Sequence, residues 1–406
     1  MATLSRRTAL AATLGASALA RPGLIRAQTG SAPIRIGLLS DVGGPYRDVG
    51  GPGSKVAAEM AVEDAGGAVL GRPVQILQID DQNKADVAST QARQWVDEGV
   101  TVLADGAGSS AGLAIQDIAR DRKRIFLMTT PTSTAFIGKQ CSPYGFQFAC
   151  NSYALAKGVG GELSRVGGDT WFFITVDYEM GISLQSNTEE FIRAAGGRVL
   201  GTARTPLGNN DYSAALLQAR ASGAKVIGLA IAGADLQNCI KQAHEFGTVQ
   251  GGQRLATLLM MITDVIALGQ DTCQGLVLTN SFYWAQTPET EAWTARYVQR
   301  MGKPPTEYNA AAYAAIFHWM KAAKAANTTD ADAVAAKIRE LPVEDFYNKG
   351  VRVMDNGCVP HAMYLWEVKP PAPGDKKWDV YKRISTIPSP EAYPPPALFG
   401  CPLVRS

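Results

Sequence analysis

The sequence predicts an α/β fold of two doubly wound, Rossmann-like lobes joined by a multi-strand hinge. Three observations carry this. At 406 residues, 46% of them hydrophobic, the chain is too long for one core of ordinary size and divides naturally into two. Apolar runs of strand length alternate with amphipathic segments, the pattern of βα units on a parallel sheet. The alternation is also written twice, so the same architecture recurs in two successive parts of the chain.

Taken in order, the first series starts at residue 33. Apolar runs predict strands at 34–40, 74–80, 100–104 and 125–128, and amphipathic segments between them predict helices at 53–65, 86–98 and 110–121. The second series begins near residue 154 with a helix to 166. It continues with a strand at 171–175, a helix at 181–195, a strand at 198–205 and a helix at 212–222. A strand at 226–230, a helix at 236–246 and strands at 256–261 and 276–280 complete it. Helical patterns at 289–301, 309–326 and 333–340 are too regular for a tail and return to the first lobe. Residues 351–387 hold short strands, and 388–396 are Pro-rich, which excludes helix or sheet interior and leaves a strap over the surface. The implied division is 28–150 plus 281–350 for one lobe, 151–280 plus 351–387 for the other, and 388–406 as tail. Such a division needs several chain crossings at a hinge, and hinged lobes make a ligand clamp.

Ahead of both lobes, Ser5-Arg6-Arg7-Thr8-Ala9-Leu10 and the small apolar stretch 10–19 read as a twin-arginine secretion signal. The stretch is too short and too weakly apolar for a membrane helix, which needs roughly 20 strongly apolar residues. Cleavage after Ala27 removes residues 1–27; Ala18-Leu19-Ala20 is a competing site. The chain is thus expected in the periplasm. Thirty-nine basic and 37 acidic residues leave a net charge of +2, with no basic stripe, which argues against nucleic acid. Six cysteines in an exported chain point to disulfides. Cys141–Cys150, Cys239–Cys273 and Cys358–Cys401 form one reasonable set, and Cys401 with Cys141 is an equally reasonable choice. No pair has the spacing of a zinc or redox motif.

Several strings in order carry a resemblance: Asp41-Val42-Gly43-Gly44-Pro45-Tyr46, Ala57-Ala58-Glu59-Met60-Ala61-Val62-Glu63-Asp64 and Asp80-Asp81-Gln82-Asn83, then the loops 106–112, 129–134 and 177–181, and Gln242-Ala243-His244-Glu245-Phe246-Gly247. Together they resemble the leucine/isoleucine/valine-binding family, the type I periplasmic solute-binding receptors of ABC importers. Within it the chain resembles a branch that takes up aromatic acids such as benzoates and cinnamates. The resemblance implies a non-enzymatic monomer without cofactor or metal, whose partners are a small carboxylate and an inner-membrane ABC permease. A ligand-binding partner of a signalling receptor would have the same fold.

The loop 106–112 follows a strand and opens a helix, so its backbone N–H groups and the helix dipole suit an anion. In the resembling family this loop holds the ligand carboxylate with a hydroxyl, which falls on Ser109 or Ser110, and Thr132 and Ser133 would complete the cradle. The same residues spell G-x-S-x-G, with Ser110 as the nucleophile of a periplasmic serine hydrolase. That rival needs a histidine, and only His244, His318 and His361 exist. Tyr46 can wall the pocket. From the second lobe, Tyr153 at the hinge and Asp177 and Tyr178 after a strand are cleft candidates. Asp235 falls where the family lines its pocket, and Tyr283 sits among aromatics at a lobe crossing. One departure stands out. Amino-acid-binding relatives place an acid after a second-lobe strand to receive the ligand's ammonium, but here Leu258-Leu259-Met260-Met261-Ile262-Thr263 follows, with Asp264 the nearest substitute. Without that acid, the ligand is a carboxylate lacking an amine, because an ammonium unpaired in a dry cleft costs several kcal/mol.

Overall fold

The computed structural model describes residues 32–249 and 251–404; the predicted secretion signal lies outside them. Strands β1 (Ile34–Ser40), β2 (Ala68–Val69), β3 (Arg72–Asp80), β4 (Val102–Asp105), β5 (Ile125–Met128) and β6 (Gly145–Gln147) form the first sheet, in the order β2-β3-β1-β4-β5-β6. All its pairs are parallel except the β2–β3 hairpin. Helices α1 (Gly51–Asp64), α2 (Ala85–Asp97) and α3 (Ser109–Asp121) connect the strands. The core on one face joins Ile34, Ile36 and Leu38 to Met60 and Ala61; on the other, Leu39 and Phe126 meet Trp95 and Ile115.

The second sheet holds β7 (Thr170–Val176), β8 (Arg198–Thr205), β9 (Val226–Ala230), β10 (Arg254–Thr257), β11 (Val277–Asn280), β12 (Met363–Val368) and β13 (Tyr381–Ile387). Its order is β13-β12-β11-β10-β9-β7-β8, with β12 and β13 antiparallel at one edge. Helices α4 (Ser152–Arg165), α5 (Glu179–Ala194), α6 (Ser213–Ala221), α7 (Gly233–Glu245), α8 (Ile262–Leu268) and α9 (Gln270–Cys273) belong to this series. The chain leaves the first sheet after β6, departs from the second after β11, and rejoins it at β12. Between those last two crossings, α10 (Pro288–Met301), α11 (Glu307–Ala326) and α12 (Ala331–Glu340) return to the first sheet's core, where α10 and α11 pack on α1.

Two expectations need correction. The strand expected at 256–261 ends at Thr257; Leu258 to Met261 leave the sheet and α8 begins at Ile262. A short apolar run does not distinguish strand from helix entry. The acid that starts the helix is Asp264, which accepts the Met261 N–H at 2.8 Å. The disulfide set Cys141–Cys150, Cys239–Cys273 and Cys358–Cys401 does not form. Cys141 pairs with Cys401 across a Cα separation of 5.7 Å, the pairing given as its alternative, and the other four cysteines are buried thiols. Small, weakly polar thiols pack well in a core, so burial alone accounts for them.

The tail runs along the surface, but its prolines do not exclude helix as expected, because Pro390 sits in the first turn of a short one, where no N–H is needed. It leaves β13, forms the short helix α13 (Ser389–Ala392), rests Phe399 against Tyr153, and is fixed by Cys401 to the loop before β6. Among the described residues, no helix is long and apolar enough to cross a membrane.

Candidate functional site

In both sheets the strand order reverses beside the first strand of the series: β1 lies between β3 and β4, and β7 between β8 and β9. Loops leaving the carboxyl ends of such neighbours diverge to opposite faces and open a crevice. The two crevices meet. Tyr46, after β1, accepts a hydrogen bond from the Tyr178 hydroxyl, after β7, at 2.6 Å. The Ala234 N–H donates to the Pro45 carbonyl at 3.1 Å, and the Thr263 hydroxyl to the Asp48 carbonyl at 3.1 Å. The lobes are therefore closed on one another. Gly233 makes the approach possible: its φ is +57°, and a Cβ there would lie 2.3 Å from the Pro45 carbonyl oxygen.

A small cavity remains at this junction. Ala107, Gly108, Ser109, Thr130 and Thr132 face it from the first lobe, Met180, Ala232 and Leu259 from the second, with Tyr46, Tyr178 and Tyr308 as aromatic walls. On the first-lobe side the backbone is strained. Asp105, Gly106 and Ala107 have φ of +72°, +99° and +42°, a costly conformation for the two non-glycine residues. The buried Asp105 carboxylate pins this turn by accepting from the hydroxyls of Ser40, Thr129 and Thr130. Burial pushes Asp105 up to about 6, while the hydrogen bonds from Ser40 and Thr129 pull the other way. Gly108 follows in extended geometry, so close to Asn83 that a Cβ would sit 2.1 Å from the Asn83 side-chain oxygen. The turn delivers the N-terminus of α3 to the cavity, where its free N–H groups favour an anion.

Of the residues singled out from sequence, Ser109, Thr132, Tyr46 and Tyr178 line this cavity together. The Thr132 hydroxyl is buried without a partner. Ser109 accepts the Ser133 N–H at 3.2 Å. Ser133 itself bridges the lobes, its hydroxyl donating to Glu179 at 2.6 Å and accepting from the Ala135 N–H. Ser110 is half-buried on α3, away from the cavity lining. Asp177 is exposed. Asp235 is buried in the first turn of α7, where it accepts the Gly208 N–H at 3.0 Å, and burial pushes it up to about 6. Tyr153 stacks edge-on between Phe191 and Phe399, so it holds the tail. Tyr283 sits beyond the cavity wall, donating to the Trp378 carbonyl at 3.0 Å.

Sequence reasoning missed Thr130, Met180, Ala232, Leu259 and Tyr308 as cavity residues. Tyr308 lies in the first turn of a long helix capped by Thr306, directly after a chain crossing, and that placement was the available signal. Asp264, named as the nearest substitute for the missing acid, does not line the cavity. One of its oxygens accepts the Met261 N–H and the other the Gln237 amide at 2.7 Å, and burial pushes it up to about 7.

The histidines stand apart from Ser110. His318 is bound to the Ile338 carbonyl, and His361 lies between Asn348 and the Phe148 carbonyl. Burial pushes both down to about 4. His244 borders an open pocket with Arg254 and Asp271 at the other end of the second sheet. None supplies a base for a serine nucleophile.

Two crevices closing over a hydroxyl-rich helix N-terminus are the geometry of a solute receptor, and a family model described as periplasmic binding protein matches residues 33–376. The chain belongs to the periplasmic binding protein family. A periplasmic binding protein from Burkholderia mallei is 40% identical, matching 92% of this chain and 99% of its own with a TM-score of 0.89. A branched chain amino acid ABC transporter periplasmic ligand-binding protein from Burkholderia xenovorans LB400 is 33% identical over 91% of this chain and 99% of its own, with a TM-score of 0.80. A solute binding protein of an ABC transporter from Rhodopseudomonas palustris BisB5, solved with 3,4-dihydroxybenzoic acid, shares the fold at 18% identity, with 88% and 98% covered and a TM-score of 0.79. No curated protein matches this chain. ABC solute-binding proteins bind small ligands, work with transporter permeases and are not enzymes, and the family is periplasmic.

Proposed function

We propose that this solute-binding protein closes its lobes over a small carboxylate and presents the closed form to an inner-membrane ABC permease. In this reading it is a monomer without enzymatic activity, exported by the twin-arginine route, with hinge crossings near residues 150, 281 and 351. The carboxylate is held by Ser109, Thr132 and the α3 N-terminus, while Tyr46 and Tyr178 close over it. The carrying observation is the contrast between the hydroxyls that line the cavity from the first lobe and the second-lobe lining of Tyr178, Met180, Ala232 and Leu259, which includes no acid. That contrast favours an aromatic acid. A branched-chain amino acid is the second reading, favoured by the printed name of the 33%-identical Burkholderia xenovorans relative.

Binding to the folded state alone raises its melting temperature by mass action. A thermal-shift screen of the mature protein against benzoates, cinnamates, leucine and dicarboxylates tests the reading. Stabilisation by benzoates or cinnamates but not leucine supports the aromatic acid; stabilisation by leucine alone supports the amino acid. No response to any carboxylate overturns the proposal.

A further inference from the structure

Glu179, Ser183 and Asn187 stand four residues apart on α5 and so share one face of it. Each meets the Ser133-Thr134 segment of the first lobe. Glu179 accepts from the Ser133 hydroxyl at 2.6 Å, Ser183 accepts the Thr134 N–H at 3.2 Å, and the Asn187 amide donates to the Thr134 hydroxyl at 3.4 Å. Ser183 and Asn187 also hold Ser152, the first residue of α4, with the two serine hydroxyls 2.6 Å apart and the amide donating at 2.9 Å. That end of the stripe therefore sits beside the chain crossing near residue 150, whereas Glu179 lies about 12 Å further along the helix from Asn187. Rotation about a hinge displaces a group in proportion to its distance from the axis, so opening parts Glu179 from Ser133 before it disturbs the inner contacts.

This outer contact is tied to the cavity by hydrogen bonds of fixed direction. The Ser133 hydroxyl donates its one proton to Glu179 and accepts the Ala135 N–H at 3.0 Å. The Ser133 N–H donates to the Ser109 hydroxyl at 3.2 Å. With a lone pair of Ser109 engaged in that way, its own proton is free to point elsewhere, and Ser109 lines the cavity. The flanking residues divide in the same manner. Thr132 lines the cavity while Ser133 holds Glu179, and Tyr178 and Met180 line it while Glu179 holds Ser133. The latch therefore stands immediately beside the site without forming part of its lining.

We propose that Glu179 is a positioning residue for the bound carboxylate: it reaches across the closed cleft to fix Ser133, and through the Ser133 N–H it turns the Ser109 hydroxyl toward the ligand. The inference rests on the carboxylate reading above and adds how closure tightens the grip. When the lobes part, Ser133 loses Glu179, and the Ser109 proton loses the constraint that aims it. Closing the cleft and holding the anion are thereby one event, whose two halves stabilise each other. Because the latch forms after the ligand has entered, its strength sets how long the ligand stays rather than how fast it arrives. The same second-lobe helix thus contributes to affinity through a residue that does not touch the ligand.

The test is calorimetry and stopped-flow kinetics with benzoate, cinnamate, leucine and succinate on the wild type, Glu179→Ala, Glu179→Gln, Ser133→Ala and the Glu179→Ala/Ser133→Ala double variant. Glu179→Ala is expected to weaken the acid that binds the wild type by about tenfold. That loss should lie in faster dissociation, with the association rate within roughly twofold of the wild type. Glu179→Gln keeps the shape and an acceptor oxygen but not the charge, and a neutral hydrogen bond is about half as strong, so its loss should be about threefold. The double variant should bind no more weakly than the weaker single variant, since both substitutions break the same contact. A merely structural role for Glu179 would instead give effects that add. Additive losses, a loss confined to association, or unchanged affinity in Glu179→Ala overturns the latch while leaving the carboxylate site standing. Failure of every acid to bind the wild type brings down the carboxylate reading, and the latch with it.

Discussion

The loops after β4 and β10 both leave the carboxyl ends of parallel strands, one in each sheet, yet they are built from opposite chemistry. The first turns through Asp105, Gly106 and Ala107 in left-handed conformations, with the pinned Asp105 carboxylate beneath, and ends at a helix N-terminus. The second runs through Leu258, Leu259, Met260 and Met261, and its one acid is engaged in capping α8. Shared architecture thus does not imply shared recognition. One rim presents hydroxyls and a helix N-terminus, and the other presents apolar side chains.

The largest expected effect is on the frame that carries both rims. Replacing Cys141 and Cys401 by serine frees the strap, and removal of a native disulfide typically costs about 2–5 kcal/mol; urea unfolding should show a lower midpoint. Next is closure itself. Gly233→Val introduces a Cβ against the Pro45 carbonyl, and an overpacking cost of about 1–3 kcal/mol corresponds to roughly 5- to 150-fold weaker ligand affinity. Small-angle scattering should show the liganded variant more open than the wild type. If compactness and affinity are unchanged, the rims do not meet as described.

A smaller effect tests the polar rim. Thr132→Val keeps the side chain's shape but removes its buried hydroxyl, and affinity for the carboxylate ligand should fall by about tenfold in calorimetry. Unchanged affinity would mean that this rim does not hold the anion.

The smallest effect tests the apolar rim. Asp264→Asn should leave ligand affinity within roughly twofold, since Asp264 is occupied by Met261 and Gln237. Its consequence lies in pH. Asp264 is raised from 3.8 to about 7, so between those values the folded state holds more protons than the unfolded one, and this contribution to stability falls as pH rises. The Asn variant should show a shallower loss of stability from pH 4 to 7, measured by urea midpoints. A large loss of affinity in this variant would instead return an acid to the second rim.

The repeated βα pattern was legible because a parallel sheet buried on both faces demands continuous apolar strands with amphipathic helices between them. The glycine-rich loop before α3 was legible for a similar reason, as was the apolar character of residues 258–263. Other features became visible only when distant segments were brought together. Tyr153, which the sequence offered as a cleft candidate, carries Phe399, from the opposite end of the chain. Thr132 and Ser133 are adjacent hydroxyls, but one faces the cleft while the other reaches Glu179 across it.

The sequence by itself determined the two doubly wound lobes, the polar helix N-terminus in the first and the apolar run in the second, because these depend on local periodicity, capping and turn chemistry. Tertiary structure alone decided that Cys401 meets Cys141, that Asp264 caps a helix, and that Glu179 meets Ser133 across the cleft. Each of those outcomes depends on which segments the three chain crossings bring together, and a side chain's hydrogen-bond partner is fixed by that proximity rather than by its neighbours in sequence.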